Sequence, residues 1–313
     1  MDAFWYGLLG ALFGVYLMLD GTVIGAGMLL RASGPGERAR RAIVTAFGPF
    51  FLGNEVWLVA ALATFSAVLP RLEEPLLRTH YHLVAAVLVL WTVRDAAVWF
   101  RSRLERPGWR RGWDRVLTGV SGAFAMALGL LVGNVLTTTP GPEPVRMSFG
   151  WYPLLWALTV PVVLLVHGAV FLVVRLPGDL AGGPLRVVRH LASPAAASYA
   201  VLLGAALLAR VPSQGTPAVA AEVTAMVALA VSARVVAARP RIALALTALA
   251  AAAPAVLVGL SLEPVAARSL AAGPALDALA GFLVVVIPLV LAVQAWTWWV
   301  FLRRIDARTP VFF

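Results

Sequence analysis

Apolar residues run along this chain in nine long blocks separated by short polar gaps: 4–30, 43–69, 80–100, 114–136, 151–175, 194–210, 218–237, 241–261 and 277–302. Each is about the ~20 residues a helix needs to cross the hydrocarbon of a bilayer. The pattern predicts an all-α fold, a polytopic membrane helix bundle of about nine transmembrane helices. The gaps carry turn chemistry, as in Gly34-Pro35-Gly36, Pro140-Gly141-Pro142, Pro177-Gly178, Gly182-Gly183-Pro184 and Gly273-Pro274. No gap is long enough for a folded soluble domain, so residues 1–313 read as a single integral membrane domain.

Composition strengthens this reading. Hydrophobic residues make up 61% of the chain and charged ones 13%, whereas a soluble domain carries roughly 25% charge. A water-soluble fold cannot bury so much apolar surface, and the excess faces lipid. The net charge of +10 is no nucleic-acid signal, because every cation is an arginine and most lie in short clusters between apolar blocks. Nineteen arginines fall in one alternating set of gaps, led by the groups at Arg38–Arg41 and Arg101–Arg115 and ending with Arg308. Five fall in the other set: Arg71, Arg78, Arg146, Arg210 and Arg268. That imbalance predicts an N-terminus outside and a C-terminus in the cytoplasm. The opening Met1-Asp2-Ala3-Phe4 lacks a basic signal-peptide start and reads as part of a retained first helix. The absence of cysteine excludes disulfides, thiolate metal sites and iron–sulfur clusters.

On the first helix Gly10, Gly14, Gly21 and Gly25 share one narrow stripe, predicting a close helix–helix contact. Most of the tryptophans lie near span ends, as interfacial anchors do. The informative residues are the polar ones inside apolar blocks, each costing ~2.5–3.5 kcal/mol at a helix centre unless it faces protein or water. They are Asp20 in the first helix, Asn54 and Glu55 in the second, and Arg94 with Asp95 in the third. At ~1.5 Å per residue, Asp20 and Arg94 stand ~16 Å and ~10 Å from the inner boundary. Arg94 is thus within reach of Asp20, Asp95 or Glu55, either as a buried polar network or as part of a proton path. His167 is the histidine inside a clear span; it and Asn134 read as polar packing residues. Without depth-matched histidine pairs, no metal or haem ligation is expected from this chain.

Several motifs resemble the cytochrome bd-type quinol oxidase subunit II family. The first helix carries Leu19-Asp20-Gly21, then Gly25 and Gly27-Met28-Leu29. After an arginine-rich loop come Gly48-Pro49 and the most specific run, Gly53-Asn54-Glu55-Val56-Trp57-Leu58. Arg94, Phe100-Arg101-Ser102-Arg103, Trp113-Asp114, Gly133-Asn134-Val135-Leu136, His167-Gly168-Ala169 and Ala295-Trp296-Thr297-Trp298-Trp299 continue the match.

The resemblance implies a haem-free subunit of a quinol:oxygen oxidoreductase in the bacterial cell membrane, without activity alone. Its partners would be a haem-bearing subunit I with haem b and haem d, the quinol pool and membrane lipids, with no nucleic acid; it allows a bound quinone. Asp20, Asn54, Glu55, Arg94 and Asp95 would form the polar network or proton path. The chain departs from the family at Val23 and Leu52, where the family usually carries acids. Two other readings compete, a secondary transporter using Asp20, Glu55 and Arg94 as an ion site, and an assembly paralogue without turnover.

Overall fold

A computed structural model describes residues 2–32, 36–137, 149–208, 211, 215–266 and 268–306. Gly34 and Pro35, the Pro140-Gly141-Pro142 turn, and Arg146, Arg210 and Arg308 lie outside the described residues. Ten helices follow one another: α1 (Asp2–Leu29), α2 (Glu37–Phe47), α3 (Phe51–Val68), α4 (Pro70–Arg101), α5 (Pro107–Thr137), α6 (Trp151–Arg175), α7 (Gly178–Leu208), α8 (Thr216–Val235), α9 (Pro240–Ala266) and α10 (Gly273–Phe301). Among the described residues, nine are long and apolar enough to cross a membrane, α2 being the exception.

Four expected boundaries change. The block 43–69 is not one helix: it breaks at Gly48-Pro49-Phe50, and 43–47 belong to α2. Hydropathy runs unbroken across this point, so only the backbone reveals the corner. There Pro49 has no N–H to give, while Gly48 N closes α2 on Val44 O at 2.8 Å. The short α2 is amphipathic, burying Ala39, Ile43, Val44 and Phe47 while Arg38 and Arg41 stay exposed. Residues 70–79, expected as a gap, form the first turns of α4, started by Pro70 and continued across a kink at His80. Arg78 pairs with Glu74 one turn away, showing how a polar stretch remains helical beyond lipid. Residues 107–113 likewise open α5, where a gap was expected. The helix expected over 194–210 begins instead at Gly178 and passes through Pro184 and Pro194. Apolar length marks where a helix meets lipid, not where it ends.

At the centre lies α6, whose most apolar window is 78% buried, against 11% for α10. It packs against α1, α5, α7 and α9, while α1 also meets α3 and α9. The α1–α6 crossing is close because both helices place glycine there. A Cβ on Gly25 would lie 2.8 Å from Gly168 Cα, and one on Gly168 would strike the backbone of Gly25 and Ala26. Of the predicted stripe, Gly21 and Gly25 face α6 and Gly14 faces Ala252 of α9, but Gly10 meets nothing within 4 Å. At the end of α6, Arg175 gathers three segments. Its Nε donates to Ala46 O at 3.2 Å and its Nη1 to the carbonyls of Phe301 and Arg303, with the guanidinium over the Phe50 ring. Capping the α10 C-terminus with a cation satisfies carbonyls that have no partner within the helix.

Gly168→Ala should separate α1 from α6 and cost about 1–3 kcal/mol, whereas Gly10→Ala should leave stability unchanged. Thermal unfolding of the two variants in the same detergent checks this. Equal melting temperatures would remove the crossing from its central place.

Candidate functional site

The charged residues expected inside the membrane converge on one guanidinium. Arg94, 1% exposed, projects from the C-terminal half of α4 between α1 and α3. Its Nη1 donates to Asp20 Oδ2 at 2.6 Å, its Nη2 to Glu55 Oε1 at 2.8 Å and its Nε to Asp95 Oδ1 at 3.3 Å. The Phe124 ring of α5 lies 5.3 Å from its Cζ, a cation–π contact closing the remaining side. A second donor, Trp91 Nε1, reaches Glu55 Oε1 at 2.9 Å. Such charge-assisted bonds at short range suit the flat, five-donor guanidinium better than any other cation.

The network's edges are not all closed. Asp20 Oδ1 and the hydroxyl of Tyr16, one turn away on α1, are buried with no hydrogen-bond partner among the described residues. The carboxylates differ in cover: Asp20 is sealed at 0% exposure, while the side chains of Glu55 and Asp95 remain 11% and 22% exposed. One guanidinium faces three carboxyl groups, so ionisation of all three would leave negative charge in excess.

Asn54 stands on α3 but does not join Arg94. Its Oδ1 accepts from Gln294 Nε2 at 3.2 Å, and Gln294 Oε1 accepts from Trp57 Nε1 at 3.3 Å, a polar bridge between α3 and α10. Asn134 donates from Nδ2 to Leu130 O in its own helix at 2.9 Å. His167 ties three helices together. Its Nε2 lies 2.8 Å from Met18 O on α1 and its Nδ1 2.8 Å from the Thr247 hydroxyl on α9. A carbonyl can only accept, so Nε2 carries the proton, and Nδ1 of the neutral ring accepts from Thr247. Both nitrogens are therefore engaged, leaving no free lone pair for iron. His80 Nδ1 sits 3.0 Å from Leu76 O, and His82 and His190 are exposed. The His167 ring, so engaged, does not fit haem ligation. Among the described residues, no cluster of three His, Cys, Asp or Glu side chains stands together to hold a metal. At the departures from the family pattern, Val23 is buried in the core and Leu52 is 51% exposed on α3.

Beside the network lies an apolar cavity of about 290 Å³, bounded by α1, α3, α4, α5, α6 and α9. Tyr16, Trp91 and His80 supply polar atoms to a wall that is otherwise almost wholly hydrocarbon. Leu62, Leu77 and Leu88 are its most exposed lining residues, so it opens between α3 and α4.

Sequence reasoning missed several participants. Tyr16, Trp91 and Gln294 sit among apolar residues and look like ordinary membrane aromatics or isolated amides. Glu222, fully buried in α8, could have been found as a carboxylate inside an apolar block. Arg101, counted in a polar gap, and Asp114, placed at the first position of the 114–136 block, are buried and paired at 2.6 Å. Glu37 of α2 accepts from Arg101 at 3.1 Å, and Arg40 lies 3.0 Å from Asp114. This second network fastens α2 to α4 and α5.

Removing Arg94 strands three carboxylates in a membrane interior, and losing one partner of a buried pair costs about 3–5 kcal/mol. Arg94→Met should therefore sharply lower yield and melting temperature, while Asp95→Asn, at the exposed edge, should cost under about 1 kcal/mol. Calorimetric or fluorescence melting of the two variants tests the ranking, and equal losses would contradict it.

Comparison with known proteins agrees with this architecture. A family model described as cytochrome bd terminal oxidase subunit II matches residues 1–301. The chain is similar to the cytochrome bd ubiquinol oxidase subunit 2 of Bacillus subtilis (strain 168), with 29% identity over 182 residues, covering 56% of this chain and 54% of that one. It is similar also to the cytochrome bd-I ubiquinol oxidase subunit 2 of Escherichia coli (strain K12), with 28% identity over 209 residues, 64% of this chain and 53% of the relative. The chain thus spans about half the length of these relatives. Among solved structures, the bd oxidase from Geobacillus thermodenitrificans superposes with a TM-score of 0.70 at 14% identity, over 96% of this chain and 98% of that one. At that identity the likeness is one of fold.

Proposed function

The chain belongs to the cytochrome bd terminal oxidase subunit II family, and from that premise we propose that it is the haem-free subunit of a membrane quinol:oxygen oxidoreductase, serving a partner subunit by holding and passing protons. It is a multi-pass protein of the bacterial plasma membrane. The haems b and d, the quinol oxidation site and the reduction of dioxygen to water belong in this reading to subunit I. Both histidine nitrogens of His167 being engaged supports that division. The arginine excess supports an N-terminus outside and a C-terminus in the cytoplasm.

The observation that carries the reading is the Arg94 network. Three carboxylates around one cation in hydrocarbon keep an uncompensated charge unless a proton is bound among them. Glu55 Oε1 is already shared by Arg94 and Trp91, whereas Asp20 Oδ1 has no partner and faces a region with the Tyr16 hydroxyl. Asp20 Oδ1 is therefore the oxygen left to accept a further hydrogen bond, from a water on the route. Glu55 and Asp95, partly exposed, are its points of exchange. Val23 and Leu52 leave the family's other two acid positions without a titratable group, so in this chain the route falls to Asp20, Glu55 and Asp95. The apolar cavity also suits the isoprenoid tail of a quinone, with Tyr16 and His80 as its polar contacts.

Purification of the chain with its bound subunits, followed by a reduced-minus-oxidised absorbance spectrum, tests the assignment. Haem b and d bands from a co-purifying polypeptide are expected. A haem-free protein that alone moves a solute across liposomes would establish the transporter reading instead. Within a haem-bearing complex, Glu55→Gln keeps most hydrogen bonding and removes the titrating charge. It should retain the haem bands while losing most oxygen-coupled proton uptake; unchanged uptake would exclude Glu55 from the route.

A further inference from the structure

Two ion networks stand at different depths along one face of α4. Arg94 and Arg101 are seven residues apart, which sets them two turns and ~10 Å from each other in almost the same direction. Between them α4 offers Ala97 and Val98, both buried and apolar. The polar side chains at this level come from α5. Its Asp114 belongs to the network at the arginine-rich end, bonded to Arg101, and its Phe124 ring lies against Arg94. Asp114, Thr118, Ser121 and Phe124 fall within an arc of about 120°, and Ser121 lies between the directions of the two that touch α4.

The hydroxyls of Thr118 and Ser121 are buried, and neither has a hydrogen-bond partner among the described residues. In a helix such a group can bond back to the carbonyl one turn earlier. Thr92, Thr137 and Thr224 do so, to Leu88 O, Gly133 O and Ala220 O. Room for the Ser121 hydroxyl is left by Gly27 of α1, since a Cβ there would lie 2.4 Å from Ser121 Oγ. Gly27 and Asp20 are again seven residues apart, so Ser121 lies against the face of α1 that carries Asp20. Buried polar groups left in this way are ordinarily satisfied by water.

We infer that a short file of water, held by Thr118 and Ser121, joins the Glu37–Arg101–Asp114 cluster to the Arg94 network and forms the inlet of the proton route. The inference rests on the reading above that the chain passes protons, and it names where they enter and which side chains hold them. Glu37, with its side chain 35% exposed, is the end open to solvent, and Asp114 behind it is sealed at 2%. Along α5 the steps are ~6 Å from Asp114 to Thr118, ~4.5 Å on to Ser121 and ~4.5 Å on to Phe124 beside Arg94. One water bridges oxygens up to ~5.6 Å apart, twice an O–H···O distance. With the reach of the side chains, about one water per step is enough. A hydroxyl suits the task because it donates one hydrogen bond while accepting others. Each transfer breaks one O–H bond and forms another, so hydroxyls and waters are restored as the proton moves on.

The chain has no cysteine, so a single introduced thiol reports on its own surroundings. Ser121→Cys and Thr118→Cys nearly conserve shape. Ala192→Cys is the control: Ala192 is fully buried and lies as many residues into α7 as Ser121 does into α5. In the purified complex, the S–H stretch of each variant, as an infrared difference against the parent, would be followed after transfer to D2O. The first two thiols should exchange within the mixing time. The control should be about tenfold or more slower, because it waits for local opening. Equal rates at all three positions would overturn the water file. In a haem-bearing complex, Thr118→Val combined with Ser121→Ala should keep the haem bands and lose most oxygen-coupled proton uptake, while Thr118→Ser should retain it. Unchanged uptake in the double variant would overturn the inlet, whatever Glu55→Gln does. Fast exchange at Thr118→Cys and Ser121→Cys in a protein without a haem-bearing partner would keep the water file and sink the oxidase reading.

Discussion

A guanidinium and three carboxylates inside hydrocarbon must be satisfied by one another, and the arrangement of the first helices follows from that requirement. Arg94 reaches Asp20 on α1 and Glu55 on α3 from α4. Any slip of one helix along another would leave a full charge without its counterion. In lipid the hydrophobic effect does not press helices together, so registry has to come from contacts of this kind. The network acts as a gauge of helix depth as well as a cluster of ionisable groups.

Around that cluster the bundle is assembled by two cheaper devices. Glycine at Gly25 and Gly168 lets the α1 and α6 backbones touch, and His167 adds hydrogen bonds to α1 and α9 beside the crossing. At the arginine-rich end, Arg101 with Asp114 and Glu37, and Arg175 with the carbonyls of Ala46, Phe301 and Arg303, tie the helix ends together. The centre is thus rigid and well packed, whereas α10 is attached mainly along α3. Stability and openness are divided: the α1–α6 core carries the first, and the α4–α3–α10 layer the second.

Much of this was legible in the residues. Nine apolar blocks corresponded to nine spanning helices among the described residues, because hydrocarbon thickness imposes a length that composition reveals directly. The intramembrane charges announced themselves by their cost. Partner choice was different: Asp20, Glu55 and Asp95 were equal candidates for Arg94, and the fold uses all three. Asn54, adjacent to Glu55 in sequence, points 100° away and bonds Gln294 on α10 instead. Arg101 was counted in a polar gap and Asp114 in the next block, and only the packing of α2 beside them makes them a buried pair.

The sequence by itself determined that this is a membrane bundle, which blocks cross the bilayer and which ionisable groups lie at depth. These are one-dimensional properties, set by the transfer energy of each residue along the chain. Tertiary structure alone decided the corner at Gly48-Pro49, the continuation of α4 and α7 through expected gaps, and the convergence of three carboxylates on one guanidinium. It also decided which of those carboxylates look outward. Those depend on which helix faces which, and side chains far apart in sequence meet only when packing in three dimensions brings their faces together.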